Sequence, residues 1–176
     1  MTDDPGQTAT LVGYRQAQSP TGGALPESGS IRRVAENTID TTGSSLTLSG
    51  LRGSLADQLF YDYDVGTIKR DAQGNLLGIA NLGLGGSEGM ITPGDSGGGL
   101  FVRQEDDWLL AGINSFITRQ PEADINMETD GSLGDIAGAT RTSSYTEWIE
   151  TATGQSQTPK SKLTAPPDSQ TVPRQV

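Results

Sequence analysis

The chain has 176 residues, a formal charge of −10, no histidine and no cysteine. That balance disfavours nucleic acid and anionic membrane surfaces, which need a basic face. It also excludes a disulfide framework, a thiolate nucleophile and zinc sites built on Cys or His, leaving carboxylates as the only strong metal ligands. Glycine contributes 24 residues and the hydrophobic fraction is 32%. Such a composition favours short strands and turns over long helices, in one domain plus a tail. The first residues lack a basic stretch followed by an apolar run, so no signal peptide is expected, and no apolar run approaches membrane-spanning length.

Residues 1–7 read as a disordered start. Residues 8–14 read as a strand, with Thr10, Leu11, Val12 and Tyr14 as β-formers, followed by a loop over 16–29. Residues 31–39 form a second candidate strand, and 45–51 a weaker one. Residues 59–63 predict a short aromatic strand ending near Gly66, and 66–95 read mainly as loop. Residues 99–102 and 108–113 are two clear strands joined by a polar turn at 104–107. The acidic segment 121–135 is expected as an exposed loop, and 137–142 as a last strand. Ser144 followed by Glu147 predicts a capping box opening a helix to about Ala152, with Trp148 packed into the core. From 153 to 176 the chain has almost nothing to bury and reads as a disordered tail.

The pentapeptide Gly94-Asp95-Ser96-Gly97-Gly98 carries the most chemistry. A serine between glycines sits on a tight turn with its hydroxyl exposed and backbone N–H groups free to face a developing oxyanion. On these residues alone, a nucleophile and an inert glycine turn both stand. The pattern also satisfies G-x-S-x-G, but the nucleophile elbow needs a strand before the serine and a helix after it. Here a Gly-rich loop precedes Ser96 and a strand follows. An esterase would further need a histidine that the chain lacks.

The motifs from Gly94 onward resemble the trypsin-like (chymotrypsin-fold) serine peptidases. In that family Gly-Asp-Ser-Gly-Gly precedes a hairpin carrying Trp and a Gly-Ile-x-Ser segment. A strand ending in Thr-Arg and a helix with Trp-Ile follow. This chain has Gly112-Ile113-Asn114-Ser115-Phe116, Thr140-Arg141 and Trp148-Ile149 in that order. Upstream, Leu11-Val12-Gly13-Tyr14 looks like the opening of the family's second barrel. Ile31-Arg32-Arg33 with Asn37, and Tyr61-Asp62-Tyr63-Asp64, look like segments of its cysteine-free bacterial members.

The resemblance, over roughly residues 8–150, implies an all-β fold. That fold is a single antiparallel Greek-key barrel of six strands, the second barrel of the chymotrypsin fold, with a C-terminal helix, set here over 8–152. It implies serine-type endopeptidase chemistry through an acyl-enzyme on Ser96, with Gly94 and Ser96 N–H groups as oxyanion hole and no cofactor. Asp95 matches the residue that pairs with a freed N-terminal ammonium in mature members. Ser115, Phe116 and Ile117 match the strand that pairs with substrate backbone, and the branched Ile117 is expected to narrow the pocket. Met90 matches the pocket floor, so small or apolar side chains are expected at the cleavage site; Glu88 stands in if the loop alignment slips.

In the family the histidine and orienting aspartate come from a first barrel, and this chain begins where the second begins. The expectation is a C-terminal half, inactive alone, whose partners are a polypeptide substrate and an N-terminal barrel supplied in cis or in trans. The family's location is extracytoplasmic. Lys69, Lys160 and Lys162 lie in polar stretches and make poor bases, since a lysine base must be desolvated. Asp62 and Asp64 read as a solvated strand end in preference to a calcium site, which needs about six to eight oxygens. The competing reading is a non-catalytic pseudo-peptidase that binds peptide along the Asn114–Phe116 edge by strand addition.

Overall fold

A computed structural model describes residues 3–26, 31–43 and 55–154. Seven strands make one antiparallel sheet: β1 (Thr8–Gly13), β2 (Arg33–Thr38), β3 (Thr41–Thr42), β4 (Gln58–Asp62), β5 (Gly99–Gln104), β6 (Asp107–Arg119) and β7 (Asp135–Arg141). Their order is β2-β1-β5-β6-β7-β4-β3. Six strands were expected; the additional one is the two-residue β3. The outermost strands, β2 and β3, are separated in sequence only by Ile39 and Asp40. Ile39 N–H donates to Gln7 O and Asp40 N–H to Phe60 O, both at 2.9 Å. The sheet therefore curls until its two flanks meet at this junction.

Period-two alternation sets the inner face. Ala9 and Leu11 of β1, Leu100 and Val102 of β5, Leu59 and Tyr61 of β4, and Ala137 and Ala139 of β7 are buried in one cluster with Ile39, Ile91 and Ala111. The opposite faces of β4 and β7 are buried too. Phe60 and Ile136 form a second cluster with Ala72 and Ala123, against which Phe116 packs. Phe60 and Phe116 meet edge to face with centroids 5.9 Å apart. Gly138 lies under the Phe116 ring, where a Cβ would fall 2.3 Å from its carbons. The β5–β6 hairpin turns through Glu105 and Asp106, with Glu105 in the left-handed region (φ 55°).

Several expectations change. The segment 66–95 is mainly loop, as expected, but three short elements interrupt it: a 3₁₀ turn (Ile68–Arg70), helix α1 (Ala72–Leu77) and a second 3₁₀ turn (Gly85–Ser87). Asp71 starts α1 by accepting from Gly74 N–H at 2.5 Å, a cap that meets an orphan donor of the first turn. Strand β6 continues to Arg119, well past the expected end. The acidic segment 121–135 is not simply exposed, because Ala123, Asp124, Ser132 and Asp135 are buried.

Helix α2 (Thr146–Thr153) follows a 3₁₀ turn, and Tyr145 occupies its cap without a side-chain hydrogen bond. The expected Ser144–Glu147 capping box does not form. Trp148 is 69% exposed and not a core residue. The expected disordered start also changes. Asp3 is buried, its carboxylate bonded to Arg141 Nε (2.9 Å) and Nη2 (2.7 Å) and to Ser143 Oγ (2.6 Å). The Arg141 and Ser143 hydrogen bonds outweigh burial and hold the Asp3 carboxyl below its usual range. Residues 45–51 and the tail beyond 154 lie outside the described residues. No described helix is long and apolar enough to cross a membrane.

Candidate functional site

Ser96 sits at an exposed turn between Thr92 and β5. Gly94 (φ 101°) and Gly97 (φ 87°) occupy left-handed backbone that only glycine adopts without strain. Asp95 anchors the turn. Its Oδ1 accepts from Tyr14 N–H (3.1 Å) and Arg15 N–H (3.0 Å), and its Oδ2 from Thr92 N–H (3.0 Å) and Thr92 Oγ1 (3.2 Å). Its partners thus lie within this chain.

The far side of the turn is fixed by Asn114. Gly97 N–H donates to Asn114 O at 2.8 Å, and Asn114 N–H to Gly98 O at 2.9 Å. Buried Tyr61 donates its hydroxyl to Asn114 Oδ1 at 3.3 Å. Burial, and then the Asp95 charge, push the Tyr61 phenol above its usual range. Among the described residues, neither Gly94 N–H nor Ser96 N–H donates a hydrogen bond. The Ser96 hydroxyl donates to Ser115 O at 3.4 Å, a long contact that leaves it available.

Ser115 marks a change along β6. Up to Ile113 the strand pairs with β5; from Gly112 onward it pairs with β7, with a register shift between Asn114 and Phe116. Among the described residues, no strand pairs with 115–119 on the side away from β7. An open strand edge therefore begins beside Ser96.

The other candidate residues scatter. Phe116 packs on the second cluster, whereas Ile117 and Met90 pack against the first. Met90 and Asp95 line a cavity of about 190 Å³ together with Arg15, Arg33, Thr92 and Tyr63, but Ser96, Ser115, Phe116 and Ile117 do not. Glu88 is turned away from the serine: its Oε2 accepts from Asp64 N–H (3.2 Å) and Val65 N–H (3.3 Å), and its Oε1 from Leu84 N–H (2.9 Å). Sequence reasoning gave Asn114, Tyr61 and Thr92 no individual role. Only the polar Asn114 inside an apolar strand offered a signal.

A second group lies at the end of β4. Asp62, Asp64, Asp71 and Glu88 are all buried, which overturns the solvated-strand-end reading of Asp62 and Asp64. Burial, with the neighbouring carboxylates, pushes Asp64 up to about 6 and raises Glu88. It holds Asp62 and the adjoining Asp40 well above the ordinary carboxylate range. A further buried acid, Asp135, is pushed up to about 7, by desolvation first and then by Asp124 and Asp130. No protein-family model matches this chain, and no curated protein does.

Proposed function

We propose that this chain is the second barrel of a trypsin-like serine peptidase, with Ser96 as its nucleophile and peptide-bond hydrolysis as its chemistry. Counting β2 and β3 as one strand bent at Ile39-Asp40 leaves six strand directions in the curled sheet, which is consistent with the six-stranded Greek-key barrel the resemblance implies. The observation that carries the functional reading is the meeting of an exposed serine with an open strand edge. A peptide laid along 115–119 by backbone pairing would bring its carbonyl toward Ser96 Oγ. The N–H groups of Gly94 and Ser96 would receive the oxyanion.

The chain holds no histidine, so the general base comes from outside these residues, and a first barrel in cis or in trans is the natural donor. Without it, roughly 10³–10⁴-fold catalysis over water survives from the oxyanion hole and binding alone. A secreted location goes with this reading.

Chemical rescue tests it. A fluorophosphonate probe should label the purified chain slowly, and added imidazole should accelerate labelling by about tenfold or more, with no label on Ser96→Ala. A chain that stays unlabelled at every imidazole concentration, yet binds extended peptides at 115–119, would favour the second reading of a non-catalytic peptide-binding barrel. Turnover at the speed of a complete peptidase without any added base would defeat the external-imidazole argument.

A further inference from the structure

We infer that the carboxylates of Asp62, Asp64 and Asp71 bind a hard divalent cation, calcium by size and ligand type. This inference is independent of the serine reading. The three side chains converge from the end of β4, the loop after it and the cap of α1. One carboxylate oxygen from each lies within 4.8 Å of the others. Exposure is 1% for Asp62, 0% for Asp64 and 1% for Asp71, so this is not the ordinary acidic surface patch. Among the described residues, no Lys or Arg forms an ion pair with any of them.

A separate observation points to a ligand. Asp64 Oδ1 accepts from Gly66 N–H at 2.5 Å, but the buried Oδ2 has no hydrogen-bond partner. A buried carboxylate oxygen without a donor, on a residue grouped with two more carboxylates, is the arrangement that a cation stabilises and that desolvation otherwise penalises. Beside it, Gln73 is also buried. Its N–H donates to Asp62 Oδ2 at 2.7 Å, while both side-chain polar atoms stay unpartnered.

Size and ease of dehydration select among cations. Calcium takes oxygens at about 2.3–2.6 Å, so ligands on opposite sides of it stand about 4.6–5.2 Å apart. Magnesium, at about 2.0–2.1 Å, brings them to about 4.0–4.2 Å and keeps most of its waters. Oxygens within 4.8 Å of one another fit the shell of a single ion of either size, and magnesium's reluctance to give up its waters for three buried carboxylates favours calcium. Oxygen-only donors disfavour the softer transition metals. Bound there, the cation ties the 64–71 segment to the barrel, and Glu88, gripping Asp64 and Val65 N–H, extends that tie toward Met90 and the serine loop.

The test is titration of chelator-stripped protein with CaCl₂, MgCl₂ and TbCl₃. The expected result is one calcium equivalent bound, a melting temperature raised by about 5 °C or more at saturation, and terbium emission sensitised through neighbouring Tyr61 and Tyr63. Magnesium should bind more weakly. Asp64→Asn should weaken calcium about tenfold or more, while the exposed Asp106→Asn leaves it unchanged. If Asp64→Asn does not fold, the terbium signal of the unaltered chain decides. Absence of calcium and terbium binding at millimolar concentration, equal calcium and magnesium affinity, or an Asp64→Asn chain that binds as tightly as the parent would each overturn the proposal.

Discussion

The serine turn and the acidic group at the end of β4 handle negative charge in opposite ways. At the turn, one carboxylate, Asp95, meets three backbone N–H groups and one hydroxyl. In the acidic group, four buried carboxylates share one region. They too accept backbone N–H groups, yet Asp64 Oδ2 is left over and desolvation dominates. The difference teaches that burial alone does not decide whether a carboxylate is structural. What decides is whether donors match acceptors. The turn is finished by its own chain, whereas the acidic group calls for positive charge from outside it.

The largest expected effect is on pH dependence. Asp135 is raised from 3.8 to about 7, so the folded state binds more protons than the unfolded chain between those values. Its contribution is fully present below pH 4 and is lost as pH rises through 7, on the order of 4 kcal/mol if the whole shift is expressed. Chelator-treated protein should therefore resist urea better at pH 5 than at pH 8, and Asp135→Asn should reduce that slope, with the raised Asp40, Asp62, Asp64 and Glu88 carrying the remainder. A stability that climbs steadily from pH 4 to 8 would erase the contrast.

Asp95→Ala comes next, with an expected loss of about 3 kcal/mol, because it removes four hydrogen bonds to a charged acceptor. Asp64→Asn, measured in chelator at pH 7.5, should leave stability unchanged or raise it. Equal losses from both variants in urea melts would break the comparison. Gly138→Ala should cost about 2 kcal/mol by forcing the Phe116 ring away from β7, with lower peptide affinity at the open edge as a second readout. Ser96→Ala should change stability by less than about 0.5 kcal/mol, since its hydroxyl is exposed and weakly engaged. A larger loss in thermal melts would make Ser96 a structural residue.

Much of the sheet was legible because its strands alternate. Leu11, Leu100, Val102 and Ala111 point inward where their spacing says they must, and the 105–106 turn announces the hairpin. The serine turn was legible from its glycines. Helix α1 was hidden because its Leu76 and Leu77 stay exposed and its start depends on the Asp71 cap. The segment 121–135 misled because polar side chains, more than apolar ones, are what it buries. Asp135 Oδ2, for example, takes the N–H groups of Asp130 and Gly131. Trp148 misled in the other direction, as a large aromatic left at the surface. The acidic group was visible only as Asp62 and Asp64, since Asp71 and Glu88 reach them through loop geometry that no local pattern encodes.

The two-residue passage from β2 to β3 has a dynamic consequence. The two flanks of the sheet are mechanically one piece, so neither can unzip while the other keeps its register. Amide protons of β1 and β4, on opposite sides of that passage, should exchange with solvent through a shared opening event, at matching rates.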